Sequence, residues 1–194
     1  MSQWLRWMAA AGLSLALAAC VPEFENALQG GDPADPALIG TWSARAEGDF
    51  ESMTLEITAS KGGLSVVMRD PKDSAEKLTF QGTSAEVGGV RYISLKPNEG
   101  DGLGAGGTDV SFLIFRYAPD GDRFKVWALD AERIGKAIDA GKLKGTHSGT
   151  GAEANAKVSS DPAELAAFIA TEEGQAAFVD AEPADVLILT RMTP

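Results

Sequence analysis

The chain has 194 residues, with 28 acidic against 17 basic side chains and a net charge of −11. A surface of that sign is a poor partner for nucleic acid or for anionic lipid headgroups. The length suits one domain with a sizeable core. A single cysteine, Cys20, rules out an intramolecular disulfide and a cysteine-based zinc or redox centre.

The first residues, Met1 to Trp7, carry one charge, Arg6, and an apolar run from Met8 to Ala19 follows. It ends in Leu17-Ala18-Ala19-Cys20. A basic start, a short apolar stretch and small residues at a cleavage point are the layout of a secretory signal. The run is too short to span a bilayer, which needs ~20 apolar residues. Leu-Ala-Ala-Cys resembles the bacterial lipobox, in which cleavage exposes the cysteine and its thiol carries diacylglycerol. The resemblance implies that residues 1–19 are a cleaved signal peptide and that Cys20 is the lipidation site and first residue of the mature chain. Only Arg6 is lost with the signal, so the mature charge is −12. No second hydrophobic stretch approaches transmembrane length, so the expected membrane partner is reached through the Cys20 lipid alone. Val21, rather than Asp, follows the cysteine, which in the enterobacterial scheme implies the outer membrane, with the protein facing the periplasm.

Residues 20–37 hold Pro22, Pro33, Pro36, a Gly pair and four acids without a base. This composition predicts a flexible tether, with a single folded domain over 38–194. From Leu38 to about residue 129, period-2 alternation and turn signals dominate. Met53, Leu55 and Ile57 share one strand face, and Lys61-Gly62-Gly63 turns the chain into Leu64–Met68. Leu78–Gln81, Ala85–Val87 and Val90–Leu95 read as three further strands, the last two joined at Gly88-Gly89. The clearest hairpin is Val110–Tyr117 and Arg123–Leu129 around Ala118-Pro119-Asp120-Gly121. In its first strand Val110, Phe112 and Ile114 line one face, and Leu113, Phe115 and Tyr117 the other. A strand apolar on both faces is covered on both sides.

Two helices are predicted to supply that cover. Asp130 caps one, along which Ile134, Ala137 and Ile138 recur at helical spacing before Gly141 ends it. Asp161-Pro162-Ala163-Glu164 opens the other with an N-cap, a proline at the first position and a capping-box glutamate. Gly174 is placed to break this helix, with a short turn through Phe178. Gly145–Ala156 is polar and rich in Gly and Ala, and reads as a mobile loop with short flanking strands. The chain closes with Val186–Met192, a second two-faced strand. The expected class is mainly β with minor α: an antiparallel β-barrel or strongly bent sheet with two late helices packed on it.

Several motifs offer chemistry and are better read otherwise. Gly102-Leu-Gly104-Ala-Gly106-Gly107 satisfies G-x-G-x-x-G, but that fingerprint needs a preceding strand and a following helix, and a strand follows here. Asp120-Gly121-Asp122 has two of the acids of a calcium loop, yet it coincides with the hairpin turn. His147, the only histidine, stands beside Ser148 with no G-x-S-x-G elbow. Glu132, Asp139, Glu172, Glu173, Asp180, Glu182 and Asp185 give many carboxylates and no singled-out pair. No catalytic residue, metal ligand or cofactor is assigned.

Gly40-Thr41-Trp42 lies at the head of the domain and Arg191 in its last strand. This resembles the lipocalin and calycin barrels, where a G-x-W on the first strand is closed over by an arginine near the C-terminus. The resemblance implies a lipocalin-like barrel in which Gly40, Trp42 and Arg191 close one end, through cation–π contact and a planar donor fork. Thr108-Asp109 is similar to part of a lipocalin T-D-Y element, with Val110 in place of the tyrosine. The domain is also similar to small uncharacterised bacterial lipoproteins with a Leu-x-Gly-Thr-Trp start. The functional expectation is a non-enzymatic, membrane-anchored periplasmic lipoprotein binding a small apolar ligand, with Met53, Leu55, Ile57, Phe112 and Ile114 as inward candidates. The alternatives are a structural lipoprotein contacting another envelope protein and, behind it, an envelope hydrolase using His147 or an acid pair.

Overall fold

Residues 21–46, 52–70, 77–98, 111–178 and 186–192 are described by the computed structural model. Eight strands form its centre: β2 (Gly40–Ala46), β3 (Met53–Ser60), β4 (Gly63–Arg69), β5 (Lys77–Val87), β6 (Val90–Pro97), β7 (Phe112–Asp120), β8 (Arg123–Ala128) and β11 (Val186–Arg191). Each pairs antiparallel with the next, β6 pairs with β7, and β11 bridges β8 and β2, so the sheet closes into a barrel. Three short strands lie outside it: β1 (Glu23–Phe24), β9 (Gly145–Ser148) and β10 (Asn155–Val158). Beyond the point where β8 leaves β7, β1 takes over that edge and carries the β10–β9 hairpin with it.

Turn chemistry makes the two ends of the barrel unlike. At one end β3–β4, β5–β6 and β7–β8 are joined by residues 61–62, 88–89 and 121–122. Gly62, Gly88, Gly89 and Gly121 all have positive φ there, as tight hairpins with right-handed strand twist require. We call this the tight end. The opposite, wide end receives the longer connections β2–β3, β4–β5 and β6–β7, most of whose residues lie outside the described set, the glycine-rich 102–107 motif among them.

Strand alternation sorts the apolar side chains into two cores. The inner core holds Trp42, Ala44, Leu55, Ile57, Val66, Phe80, Ile93, Tyr117 and Phe124 among others. The outer core is built on Ala85, Tyr92 and Ile114 and is covered by three helices: α1 (Ala131–Asp139), α2 (Pro162–Ile169) and α3 (Glu172–Ala176). β7 therefore gives Ile114 to one core and Tyr117 to the other, and both are buried. This corrects the inward set: Met53, Leu55 and Ile57 belong to the inner core, whereas Phe112 and Ile114 pack in the outer one. Asp130 caps α1 by accepting from the backbone N–H groups of Glu132 and Arg133, and Asp161 with Glu164 forms the capping box of α2.

Four local expectations need revision. Residues 21–37 are not a free tether, because β1 is paired on both edges and Val21, Phe24 and Leu28 are 7%, 0% and 2% exposed. Folded structure thus begins at the first described residue, ahead of Leu38. Leu78–Gln81 and Ala85–Val87 are one continuous strand, β5, running through Gly82. A Cβ on Gly82 would lie 2.7 Å from Leu95 Cδ2 and 3.0 Å from the Ser94 carbonyl, so the glycine serves close approach of β6 rather than a turn. Gly174 sits inside α3, because a side chain there would strike the Phe168 carbonyl at the end of α2. Gly145–Ala156 folds as the β9–β10 hairpin around a 3₁₀ turn at Gly151–Glu153.

Candidate functional site: the two ends of the barrel

The tight end is sealed by its own chain. After crossing the outside of the barrel, where the Leu28 N–H donates to Ser94 Oγ at 3.1 Å, residues 30–39 fold over the end. Glu86 and Ser84 donate backbone N–H groups to the Gly30 and Pro33 carbonyls, along the edge of β5 that β4 has left free. Ser84, 4% exposed, donates to the Asp32 carbonyl and accepts from the Asp35 N–H, both at 2.7 Å. The Tyr117 hydroxyl donates to Asp35 Oδ2 at 2.7 Å, with Arg91 3.5 Å from the same oxygen. Burial, reinforced by that bond to Asp35, pushes the Tyr117 pKa well above its ordinary value.

Gly40, Trp42 and Arg191 meet at this end. The Arg191 guanidinium lies 4.1 Å from the centre of the Trp42 ring. Its two terminal nitrogens donate to the Ile39 and Ala37 carbonyls at 3.0 Å, and Trp42 Nε1 donates to the Leu38 carbonyl at 2.7 Å. Three successive carbonyls are thereby fixed by one arginine and one indole. Gly40, at φ +146°, leaves room that a side chain would deny, since a Cβ there would collide with the guanidinium. Trp42 meets Phe124 edge-on at 5.3 Å and Phe124 meets Tyr117 at 5.8 Å, giving an aromatic floor beneath the plug.

The wide end has no such seal among the described residues. Above a buried middle layer of Ala44, Leu55, Val66, Phe80 and Val126, the inner core continues as Met53, Met68, Leu78, Leu95, Phe115 and Leu187. These six are only partly buried, and each lies on the wide-end side of the buried residue two positions along its strand. Together they form a partly exposed apolar rim of the inner core above its buried layer. An apolar rim of this kind suits contact with an apolar chain or ring, and none of its six side chains can serve acid–base chemistry.

The other sequence candidates lie on the outer layers. His147 Nε2 is 2.9 Å from Asp139 Oδ1, and the ring packs on Gly135, where a Cβ would stand 2.9 Å from Nδ1. One ring nitrogen thus faces a carboxylate and the other the helix backbone, so neither is given to Ser148 as a nucleophile–base pair requires. Beside them, Glu132 holds Lys136 at 2.8 Å and accepts from the Gly151 N–H, and these contacts keep its pKa below the usual carboxylate range. Glu173 pairs with Lys142 across a surface groove of about 460 Å³ between α2 and the segment leading into β9, and Lys144 and Glu164 pair at 2.5 Å across the same groove. Asp120 pairs with Arg123 in the β7–β8 turn at 3.4 Å. Cys20, Asp180, Glu182 and Asp185 lie outside the described residues. Among the described residues there is no cluster of three metal-ligating side chains, and no helix is long and apolar enough to cross a membrane.

Sequence reading missed the plug and its Asp35–Tyr117–Ser84 network. The signal available was Asp32 and Asp35, which bond to the N–H groups of Ala34 and Ala37 two residues on, as Asx turns do. No family model, no curated protein and no solved structure matches the chain.

Proposed function

We propose that the chain is a lipid-anchored protein of the bacterial cell envelope, non-enzymatic, whose barrel takes a small apolar ligand at its wide end. The observation that carries the binding part is the contrast between a hydrogen-bonded plug at one end and six partly exposed apolar side chains at the other. The anchoring part rests on the Leu17–Cys20 lipobox and the signal-like residues before it. An outer-membrane address, facing the periplasm, follows from Val21 under the enterobacterial sorting scheme. The test is native mass spectrometry of the processed chain, purified from a bacterial host without refolding. An apolar mass released on denaturation is the expected result; a clean apo mass, with no uptake of an added fatty acid or apolar dye, refutes ligand carriage.

One observation favours a second reading, a structural lipoprotein that contacts another envelope protein. The tight-end and middle layers of the barrel are filled by their own side chains, Trp42, Phe80 and Leu55 among them, which leaves a rim rather than a through-cavity. Under that reading the purified protein is empty and an envelope protein co-purifies with it.

A further inference from the structure

The groove between α2 and residues 141–144 has a volume of about 460 Å³, within the range of sites that hold small molecules. Glu164, Ala167 and Phe168, at positions i, i+3 and i+4, turn one face of α2 toward it. Leu143 and Phe168, 4% and 6% exposed, form an apolar floor. Ala167 is exposed and has nothing beyond its Cβ, which leaves the space open. The walls are held from behind. The Lys144 N–H donates to Ser160 Oγ and the Ser159 N–H to the Lys144 carbonyl, both at 2.8 Å, and the capping box fixes Glu164. Charge is divided between the walls: Lys142 and Lys144 stand on one, Glu164 and Glu173 on the other, and each lysine pairs with a glutamate across the groove. All four side chains are between 39% and 68% exposed, so water screens the pairs and each adds little to stability.

A ligand of one charge sign gains at one wall what it loses at the other, whereas a zwitterion gains at both. Admitting a zwitterion turns one ion pair into two, ammonium to glutamate and carboxylate to lysine. Lys142 and Lys144 are two positions apart, so their Cα atoms are separated by at most about 7 Å, the length over which a dipeptide sets its two charged ends. Glu164 also accepts from the Asp161 N–H as part of the helix cap, which leaves Glu173 as the carboxylate for an incoming ammonium. We propose that this groove binds a short peptide with both termini free, its ammonium on Glu173, its carboxylate on Lys144 and an apolar side chain on the Leu143–Phe168 floor. The site needs neither the lipid anchor nor the wide end of the barrel.

Calorimetric titration of the full chain with the dipeptide alanyl-leucine at low salt tests this, beside its N-acetyl and C-amide forms, which each lack one charge. The free dipeptide is expected to bind, and each blocked form to bind about tenfold more weakly. In Glu173→Gln the recognition of the ammonium is expected to go, so that the N-acetyl form binds as well as the free one. In Lys144→Gln the same is expected of the amide. Ala167→Met places a good helix former at an exposed position. It fills the groove and is expected to weaken binding about tenfold with the melting temperature unchanged. No heat from the free dipeptide up to about 10 mM, equal binding of all three forms, or undiminished binding in Ala167→Met overturns the proposal. A Glu173→Gln chain that still prefers the free amine overturns the assignment of that wall. Binding that is lost in Met68→Ala instead places the peptide at the barrel rim, and overturns the groove as its site.

Discussion

At the tight end, Trp42 is 1% exposed and Tyr117 2%, and carbonyls of the covering segment have named donors. At the wide end the same strands present Met68, Leu78 and Leu95 half-covered and without polar partners in the inner layer. The difference arises from connection length. Two-residue hairpins hold three strand pairs close at the tight end, so a single strap of ten residues can close what remains. At the wide end, where the connections are longer, the described residues leave the last apolar layer partly exposed. Hydrogen-bonded closure is therefore concentrated at one end and exposed apolar surface at the other, the division expected between a scaffold and a site it could support.

Trp42→Ala is the harshest way to break that division. It removes a fully buried indole, its contact with Phe124, the Arg191 stack and the bond to the Leu38 carbonyl, and should cost about 3–5 kcal/mol in denaturant unfolding. Arg191→Ala should cost less, about 1–2 kcal/mol, because the guanidinium is exposed and water can replace part of what it donates to Ile39 and Ala37. In a Trp127→Phe background, the same change should move Trp42 emission to the red as the plug loosens. Unchanged emission and an unchanged melting temperature would show that the arginine merely decorates a seal made by other contacts.

The plug also sets a pH response. The Tyr117 hydroxyl has its pKa raised in the folded state, by burial first and by its bond to Asp35 second. Above about pH 10 the unfolded chain releases this proton while the folded chain keeps it, so the folded state binds more protons and stability falls as pH rises. Tyr92, raised chiefly by burial, acts in the same direction from the outer core. Tyr117→Phe should flatten part of the decline in unfolding free energy above about pH 10. An identical slope in the variant would mean that Tyr117 ionises normally and the Asp35 contact does not hold in solution.

The two-faced strands were the most legible feature of the sequence, because apolar residues at consecutive positions can only be covered from both sides. β7 accordingly stands between two cores, and β11 buries Val186 and Ile188 on one face and Leu189 on the other. Helix starts were legible for a local reason: Asp130 and Asp161 bond to backbone groups two and three residues on, and such contacts depend on nothing distant. The covering segment was not legible, because its partners lie far along the chain. Asp35 bonds Tyr117 across 82 positions and Leu28 bonds Ser94 across 66. Composition rich in proline, glycine and acid reads as a tether unless those partners are known. The break between Leu78–Gln81 and Ala85–Val87 and the role given to Gly174 misled for a related reason, since Gly82 and Gly174 are each required by a neighbouring backbone rather than by their own conformation. The resemblance to a G-x-W start with a late arginine drew attention to Gly40, Trp42 and Arg191, yet it held no hint of the wide-end rim. A rim is a property of six strands at once, and alternation within any single strand is blind to it.

The mildest change in stability sharpens the comparison most. Met68 lies on β4 opposite Leu55 and Leu78, at the partly exposed rim of the inner core. Met68→Ala removes apolar surface that water already reaches in part, so unfolding free energy should change by about 1 kcal/mol or less. The same cut through a buried position, Phe80→Ala in the layer below, should cost about 3–5 kcal/mol. If the rim is a binding surface, the two variants must also diverge in the opposite sense. Met68→Ala should stay folded and lose much of the bound apolar mass, because that mass would rest on the side chain removed. A rim variant that keeps its full ligand load would place the ligand elsewhere than the rim. One that unfolds as readily as Phe80→Ala would mean that the wide end is as much a part of the folding core as the tight one.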